Sequence, residues 1–272
     1  MKENLKEQIA SLIIKKALEL GASQAGICSM ADLEEAPSYK LAPLLPSLEI
    51  NDDEAEENYN NPGFSLKLSP EAKSVLVISY AHPENQPQLD WWLDDINPPG
   101  NRILIDINRN LAAWIRETLA IETKPLPYFV GKGGVFLKDA AMLAGLGTIG
   151  KNNLLVTPKY GPRVRLRAML LNEAIPSTGP RDYQPCKNCS APCMDVCPEM
   201  AFEKAVYHPE DYGLDNLPGA TGNYDRSRCN TRMLADIKAA TTEYLETDPA
   251  TPVKVIKYCR GCEITCPAAE II

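Results

Sequence analysis

The stretch Cys186–Pro198, CKNCSAPCMDVCP, places four cysteines within thirteen positions and closes on a proline. Its spacing is Cys186-x2-Cys189-x3-Cys193-x3-Cys197-Pro198. The bacterial iron–sulfur run is C-x2-C-x2-C-x3-C-P, in which the fourth cysteine serves the other cluster. Here Ser190-Ala191-Pro192 lengthens one gap by a residue without removing a ligand. A second set, Cys259-x2-Cys262-x3-Cys266-Pro267, follows with a solitary Cys229 thirty residues ahead of it. Exchanging the fourth cysteines completes both ligand sets. Cys186, Cys189 and Cys193 take Cys266, and Cys259 and Cys262 take Cys197 and Cys229, so two 4Fe–4S clusters use eight thiolates. The alternative is a pair of four-thiolate zinc sites, which share the C-x2-C pairs but rarely end a four-cysteine run on Cys-Pro.

The ninth cysteine, Cys28, stands apart and reads as a small buried residue. Clustered cysteines in a chain without a secretory leader point to metal or redox chemistry rather than disulfides. The N-terminus alternates charge with apolar residues at helical spacing, and no run reaches the length of a membrane span. The expectation is a cytoplasmic protein with no membrane partner. A formal charge of −8 argues against a protein that holds nucleic acid by neutralising phosphates.

The pattern divides at about residue 178. Residues 1–178 alternate helical and strand signals, which predicts an α/β sandwich. A helix is expected over 2–20, with Leu5, Ile9, Leu12, Ile13, Ala17 and Leu20 on its apolar side. Ala25–Cys28 is a short strand, and the continuous apolar run Ser74–Tyr80 reads as a strand buried on both faces. A helix follows near 105–120, an apolar segment at Tyr128–Val130, a helix over 135–145, and strands at Leu154–Thr157 and Val164–Leu171. Asp52–Glu57 is a solvated acidic loop. From 179 to 272 the composition turns to Cys, Pro and Asn, as in a bacterial-type two-cluster ferredoxin module. Such a module needs only a fraction of this length, so the segment in front of it must bind something.

Its most informative stretch is AGLGTIGKNNLLVTPKYGPRVRLRAML, residues 144–170. Gly147 and Gly150 permit close backbone approach, with Thr148, Lys151 and Asn152 beside them. The glycines close a helix and lead into a strand, the reverse of a dinucleotide-binding fingerprint. Arg163, Arg165 and Arg167 share one strand face, suited to an anion, a partner or plain solvent. His82 reads as a strand-end surface histidine, and Trp91-Trp92 as a cap on the core.

Taken together, AGLGTIGKNNLL, the Tyr160-Gly161 turn, AKSVLVISYAHP at 72–83 and SRCNTRM at 227–233 resemble the epoxyqueuosine reductase family, related to the reductive dehalogenases. The resemblance covers about residues 70–268 and marks a divergent, short member. It implies a nitroreductase-like core that binds cobalamin, with Gly131, Gly147, Thr148, Gly150, Lys151, Asn152, Tyr160 and Thr231 as cofactor-facing positions. It also implies electrons passing through the two clusters to cobalt from an external low-potential donor. The family's proton-donor aspartate falls thirteen residues before AGLG, where this chain has Gly131, so Lys132 or Lys138 would have to replace it if the reaction needs a proton. The expected activity is therefore a cobalamin-dependent reductase with a different, small-molecule substrate. Two alternatives stand: an electron-transfer protein that reactivates a corrinoid or other redox partner without its own cobalamin, and a tRNA epoxyqueuosine reductase using another acid.

Overall fold

The computed structural model describes residues 2–44, 69–93, 97–130, 133–213, 217–245 and 248–268. The acidic run Asp52–Glu57, Gly131 and Lys132 lie outside the described residues.

The organising element is β2 (Ser74–Ala81), whose apolar run is buried over its first six residues. It pairs antiparallel with β1 (Gln24–Ser29) on one side and β7 (Val164–Leu171) on the other. A short β4 (Thr123–Pro125) adds to the far edge of β7, giving the order β1-β2-β7-β4. Alternation sends successive side chains to two separate cores. Val75, Val77, Cys28, Leu166 and Ala168 face one, while Leu76, Ile78, Ile27, Met169 and Leu171 face the other. Every strand pairing here is antiparallel, although strands alternate with helices along the chain.

Helices cover both faces. On one lie α1 (Lys2–Glu19) and the long α4 (Pro99–Leu119), which buries Leu104, Ile107, Leu111 and Ile115 at helical spacing. Prolines set its first turn, and Ala120 ends it in the left-handed region. The opposite face carries α2 (Met30–Glu34), α3 (Pro37–Leu41) and α5 (Leu137–Leu143). The mixed α/β layered fold is as the sequence predicts, with one change in α1. Its buried stripe is Ala10, Ile13 and Ala17, while Leu5 and Leu12 are exposed. The apolar segment Tyr128–Val130 forms no strand; the strand at this edge is β4, just ahead of it. Cys28 is fully buried, and burial pushes its thiol up to about 12, as befits an inert packing residue.

The segment after residue 178 is locked onto the first. Two one-turn helices, α6 (Pro192–Asp195) and α9 (Gly261–Ile264), carry Cys193 and Cys262. Between them run α7 (Pro209–Tyr212), α8 (Arg226–Lys238) and a hairpin of β8 (Thr241–Leu245) and β9 (Asp248–Ile256). The first segment completes that hairpin's sheet: β3 (Trp92–Leu93) pairs antiparallel with Ile256 and Val255. Trp91 and Trp92 fasten this seam, with Lys257 Nζ 4.1 Å from the Trp91 ring centroid and Tyr258 edge-on to Trp92. No described helix is long and apolar enough to cross a membrane.

Candidate metal centres and the adjoining basic face

The extra residue of the first cysteine run is absorbed by backbone conformation. Ala191 adopts φ 59°, a left-handed turn that starts α6, and its N–H points at Cys189 Sγ at 3.4 Å. Ala201 N–H donates in the same way to Cys197 Sγ at 3.4 Å. Amide donors aimed at cysteine sulfur are a means by which a protein stabilises thiolates and tunes a cluster.

Folding brings the eight cysteines into two quartets. Cys186, Cys189, Cys193 and Cys266 line one cavity of about 320 Å³, together with Lys151, Asn152 and Pro267. Burial and the neighbouring Cys266, Cys186 and Cys189 push the Cys193 thiol up to about 11. In the second quartet, burial followed by Cys229, Cys259 and Cys197 pushes Cys262 up to about 12. Four thiolates crowded without a cation repel one another, and a bound metal group reverses that balance. Among the described residues no three His, Cys, Asp or Glu side chains converge to hold a single metal ion. The cavity that the first quartet lines together with seven other residues is instead many times the roughly 15 Å³ of one water-sized site. Cys193 and Cys266 are buried, whereas Cys259 is exposed.

The GTIGKNN loop packs onto this centre. Thr148 and Ile149 form β5, paired with β6 (Leu155–Val156). A Cβ on Gly147 would stand 2.2 Å from Val156 O, and one on Gly150 would stand 2.7 Å from Val156 Cγ2 and 3.4 Å from Cys186 Sγ. Lys151 Nζ donates to Cys189 O at 3.4 Å, and buried Asn152 Nδ2 to Cys262 O at 3.1 Å. The loop thus touches both cysteine runs. Tyr160 packs half-buried against the core, and Thr231 is exposed with its hydroxyl on Ser227 O at 3.2 Å.

Several participants carried no recognisable signal in sequence. Tyr183 reaches Thr157 O and Ala268 O, both at 3.5 Å, beside Cys186 and Cys266. Asp236 accepts the Cys259 N–H at 2.8 Å and also holds Arg232. His82 is fully buried, not a surface residue, with Nδ1 2.9 Å from Asp90 Oδ1 and its ring against Gly100. Around it lies a charged network. Arg165 Nη2 sits 2.8 Å from Asp90 Oδ1 and 2.9 Å from Glu263 Oε2. Arg260 pairs with Asp90 Oδ2 at 2.7 Å, with Glu263, and with His82 O at 2.8 Å. Arg163 donates to Ile264 O at 2.7 Å. The face of alternating arginines is therefore not a solvated one: two of them clamp the second cysteine run to the sheet.

The third arginine, Arg167, instead lies against the Tyr128 ring, 5.1 Å from its centroid. Lys138 donates from Nζ to Asn153 O at 2.7 Å. Burial pushes its ammonium down to about 8, against the opposing pull of Asp139 and with help from Arg226. Below pH 8 the lysine is charged in both folded and unfolded chains, and folding bears the full desolvation cost. Between about 8 and 10.4 the unfolded chain binds more protons, so stability rises with pH. Lys138→Met is expected to stabilise the chain by about 2 kcal/mol at pH 7, after loss of the Asn153 hydrogen bond. That gain should shrink toward pH 10 when melting curves are compared. A variant that melts lower at pH 7 contradicts the burial argument.

Comparison with known proteins agrees with this geometry. No family model matches the chain. It is 31% identical over 157 residues to an epoxyqueuosine reductase of Pseudomonas aeruginosa, covering 56% of this chain and 37% of that one. The chain spans about half the length, or less, of the first curated relatives that it matches. The structure of epoxyqueuosine reductase from Bacillus subtilis, with an aspartate-bearing catalytic loop swung out of the active site, matches 97% of this chain and 66% of its own at a TM-score of 0.60 and 21% identity. A reductive dehalogenase structure, described as suggesting a mechanism for B12-dependent dehalogenation, matches 83% of this chain and 29% of its own at a TM-score of 0.54 and 18% identity. In sequence the chain is similar to epoxyqueuosine reductases, and its fold is similar to theirs and to that of reductive dehalogenases.

Proposed function

We propose that this chain is an iron–sulfur oxidoreductase that carries low-potential electrons, received from an external donor, through two 4Fe–4S clusters to cobalamin. The observation that carries the reading is the first quartet: four thiols from two distant cysteine runs ringing one cavity. That donor set fits a cubane, because soft thiolates are spread around a space too large for one ion. Cys186, Cys189, Cys193 and Cys266 hold one cluster; Cys197, Cys229, Cys259 and Cys262 hold the other. On this reading residues 179–272 are a ferredoxin-like module, and residues 1–178 a nitroreductase-like domain. Bound there, the clusters supply single-electron transfer and the corrin a strongly reducing cobalt.

The chain's own residues do the positioning. Lys151 and Asn152 hold the backbones of Cys189 and Cys262, so one loop sets both cysteine runs. Pro267 lines the cavity of the first quartet, and Tyr183 stands beside Cys186 and Cys266. The exposure of Cys259 supports the second cluster as the entry point for electrons from an external donor. Gly131 stands where relatives carry the aspartate, so Lys138, whose proton is loosened by burial, is the candidate acid in this region. The −8 charge supports a substrate other than tRNA.

The second reading, a reductive activator of a corrinoid partner without its own cobalamin, is favoured by one observation. Lys151, Asn152 and Tyr160, assigned to the corrin by resemblance, are engaged with the cysteine runs and the core. Anaerobic purification with metal analysis separates the two. The expected result is about eight iron and eight sulfide per chain, and about one cobalt retained after loading with cobalamin. Full iron without cobalt selects the activator. Zinc without acid-labile sulfide overturns both.

A further inference from the structure

We propose that Arg167, Tyr128 and Arg226 form a binding site for an oxyanion, a carboxylate or phosphate group of a small molecule. The inference deepens the reading above by naming the substrate class, and rests on it for the reaction that follows binding.

Arg163, Arg165 and Arg167 descend one side of β7 and its approach, yet their surroundings differ. The first two meet acceptors of the second cysteine run. Arg167 meets none. It is 5% exposed, and its guanidinium lies 5.1 Å from the Tyr128 ring centroid. Its hydrogen bond to Leu166 O is long, at 3.5 Å. Among the described residues Arg167 forms no ion pair. A guanidinium does not shed its proton, so a buried one calls for an anion or for well-made hydrogen bonds.

The surroundings supply further cations, and among the described residues no carboxylate is paired with Arg167 or Arg226. Tyr128 is 60% exposed, presenting an open ring edge and a phenol donor. Arg226 lies within electrostatic range of Tyr128 and donates from Nη1 to Tyr224 OH at 3.4 Å. Lys138 stands within range of Arg226. The carboxylate beside Lys138, Asp139, is turned to the N–H and hydroxyl of Ser38, at 3.1 and 2.6 Å. Within a chain of formal charge −8, this edge of the sheet is thus locally basic. Two forked guanidinium groups and a phenol match the in-plane acceptors of a carboxylate or phosphate. A planar group joined to that oxyanion rests on the Tyr128 ring.

The anion has two possible owners: a small-molecule substrate, or the phosphate in the nucleotide tail of cobalamin. Anaerobic calorimetry on the cluster-loaded protein uses benzoate, inorganic phosphate and the neutral benzamide as probes. Benzoate is expected to bind at least tenfold more tightly than benzamide. Arg167→Gln and Arg226→Gln are each expected to weaken it at least tenfold, the scale of a lost charge-assisted hydrogen bond. Iron content stays at the wild-type level in both, which separates failure of this site from failure of the cluster assignment. Should Arg167→Gln fold poorly, the exposed Arg226→Gln alone decides. Benzoate and phosphate binding no tighter than benzamide, or unchanged in Arg226→Gln, overturns the proposal. Spectral titration with cobalamin and with cobinamide, which lacks the phosphate, assigns the owner. A loss confined to cobalamin identifies the cofactor's phosphate; equal retention of both identifies a substrate anion.

Discussion

Cys266→Ser is expected to remove one cluster and leave the other, lowering iron from about eight to about four per chain. Cys266 lies eighty residues beyond Cys186 in sequence, yet the two line one cavity with Cys189 and Cys193. Serine offers a harder, less acidic oxygen, so the fourth corner is lost while the fold around it keeps its volume. Cys197→Ser should remove the other cluster, because its neighbours are Cys229, Cys259 and Cys262. Paramagnetic resonance of the reduced variants reads the difference. Wild type should show two interacting signals, and each variant one isolated signal of distinct shape. If Cys266→Ser and Cys197→Ser abolish the same signal, the exchange of fourth ligands is wrong.

Arg165→Met is expected to cost about 3–5 kcal/mol of folding stability, the scale for removing one partner of a buried pair. Asp90 would then keep Arg260 and His82, and Glu263, only 4% exposed, would keep Arg260. The double variant Arg165→Met/Glu263→Met should recover most of the loss, because both unpaired charges leave together. Urea denaturation of the four proteins in the cycle measures the coupling; additive losses would sink the network argument. The network also predicts an acid limb. Burial tends to raise the Asp90 carboxyl, but the His82 hydrogen bond, Arg165 and Arg260 outweigh it and hold it below the usual range. Its contribution is complete above the ordinary carboxylate value near 4 and is lost as pH falls through the lower folded value. Asp90→Asn should flatten that limb.

This network bears on function as well as stability. Arg260 and Glu263 flank Cys262, and Arg163 holds the carbonyl of Ile264 two residues before Cys266. The second cysteine run is therefore aligned by the sheet of the first segment. Asn152 adds to this by holding the Cys262 carbonyl from the opposite element. Any shift at the seam moves ligands of both quartets at once.

The cysteine spacings were legible because ligands within a run are local: turn geometry relates residues three or four apart. The strand Ser74–Ala81 was legible for a similar reason, since a continuous apolar run has few other places to go. His82 and Arg165 were not. Each looks like a surface residue in its own neighbourhood, and its partners Asp90, Glu263 and Arg260 come from distant stretches. Gly147 likewise suggested a ligand cradle, while its missing side chain makes room for the Val156 carbonyl across a hairpin.

By itself, the sequence determined the cysteine spacings, their likeness to a two-cluster module and the family resemblance, because these depend on residue identity and short spacing. Only the tertiary structure decided how the segments are joined and which arginine stays unattached to the second cysteine run. Those outcomes depend on which side chains from remote segments meet within hydrogen-bonding distance. Arg163, Arg165 and Arg167 have the same chemistry and the same period. Two are tied to α9, Arg163 through the Ile264 carbonyl and Arg165 through the Glu263 carboxylate; Arg167 is not, and that difference exists only in three dimensions.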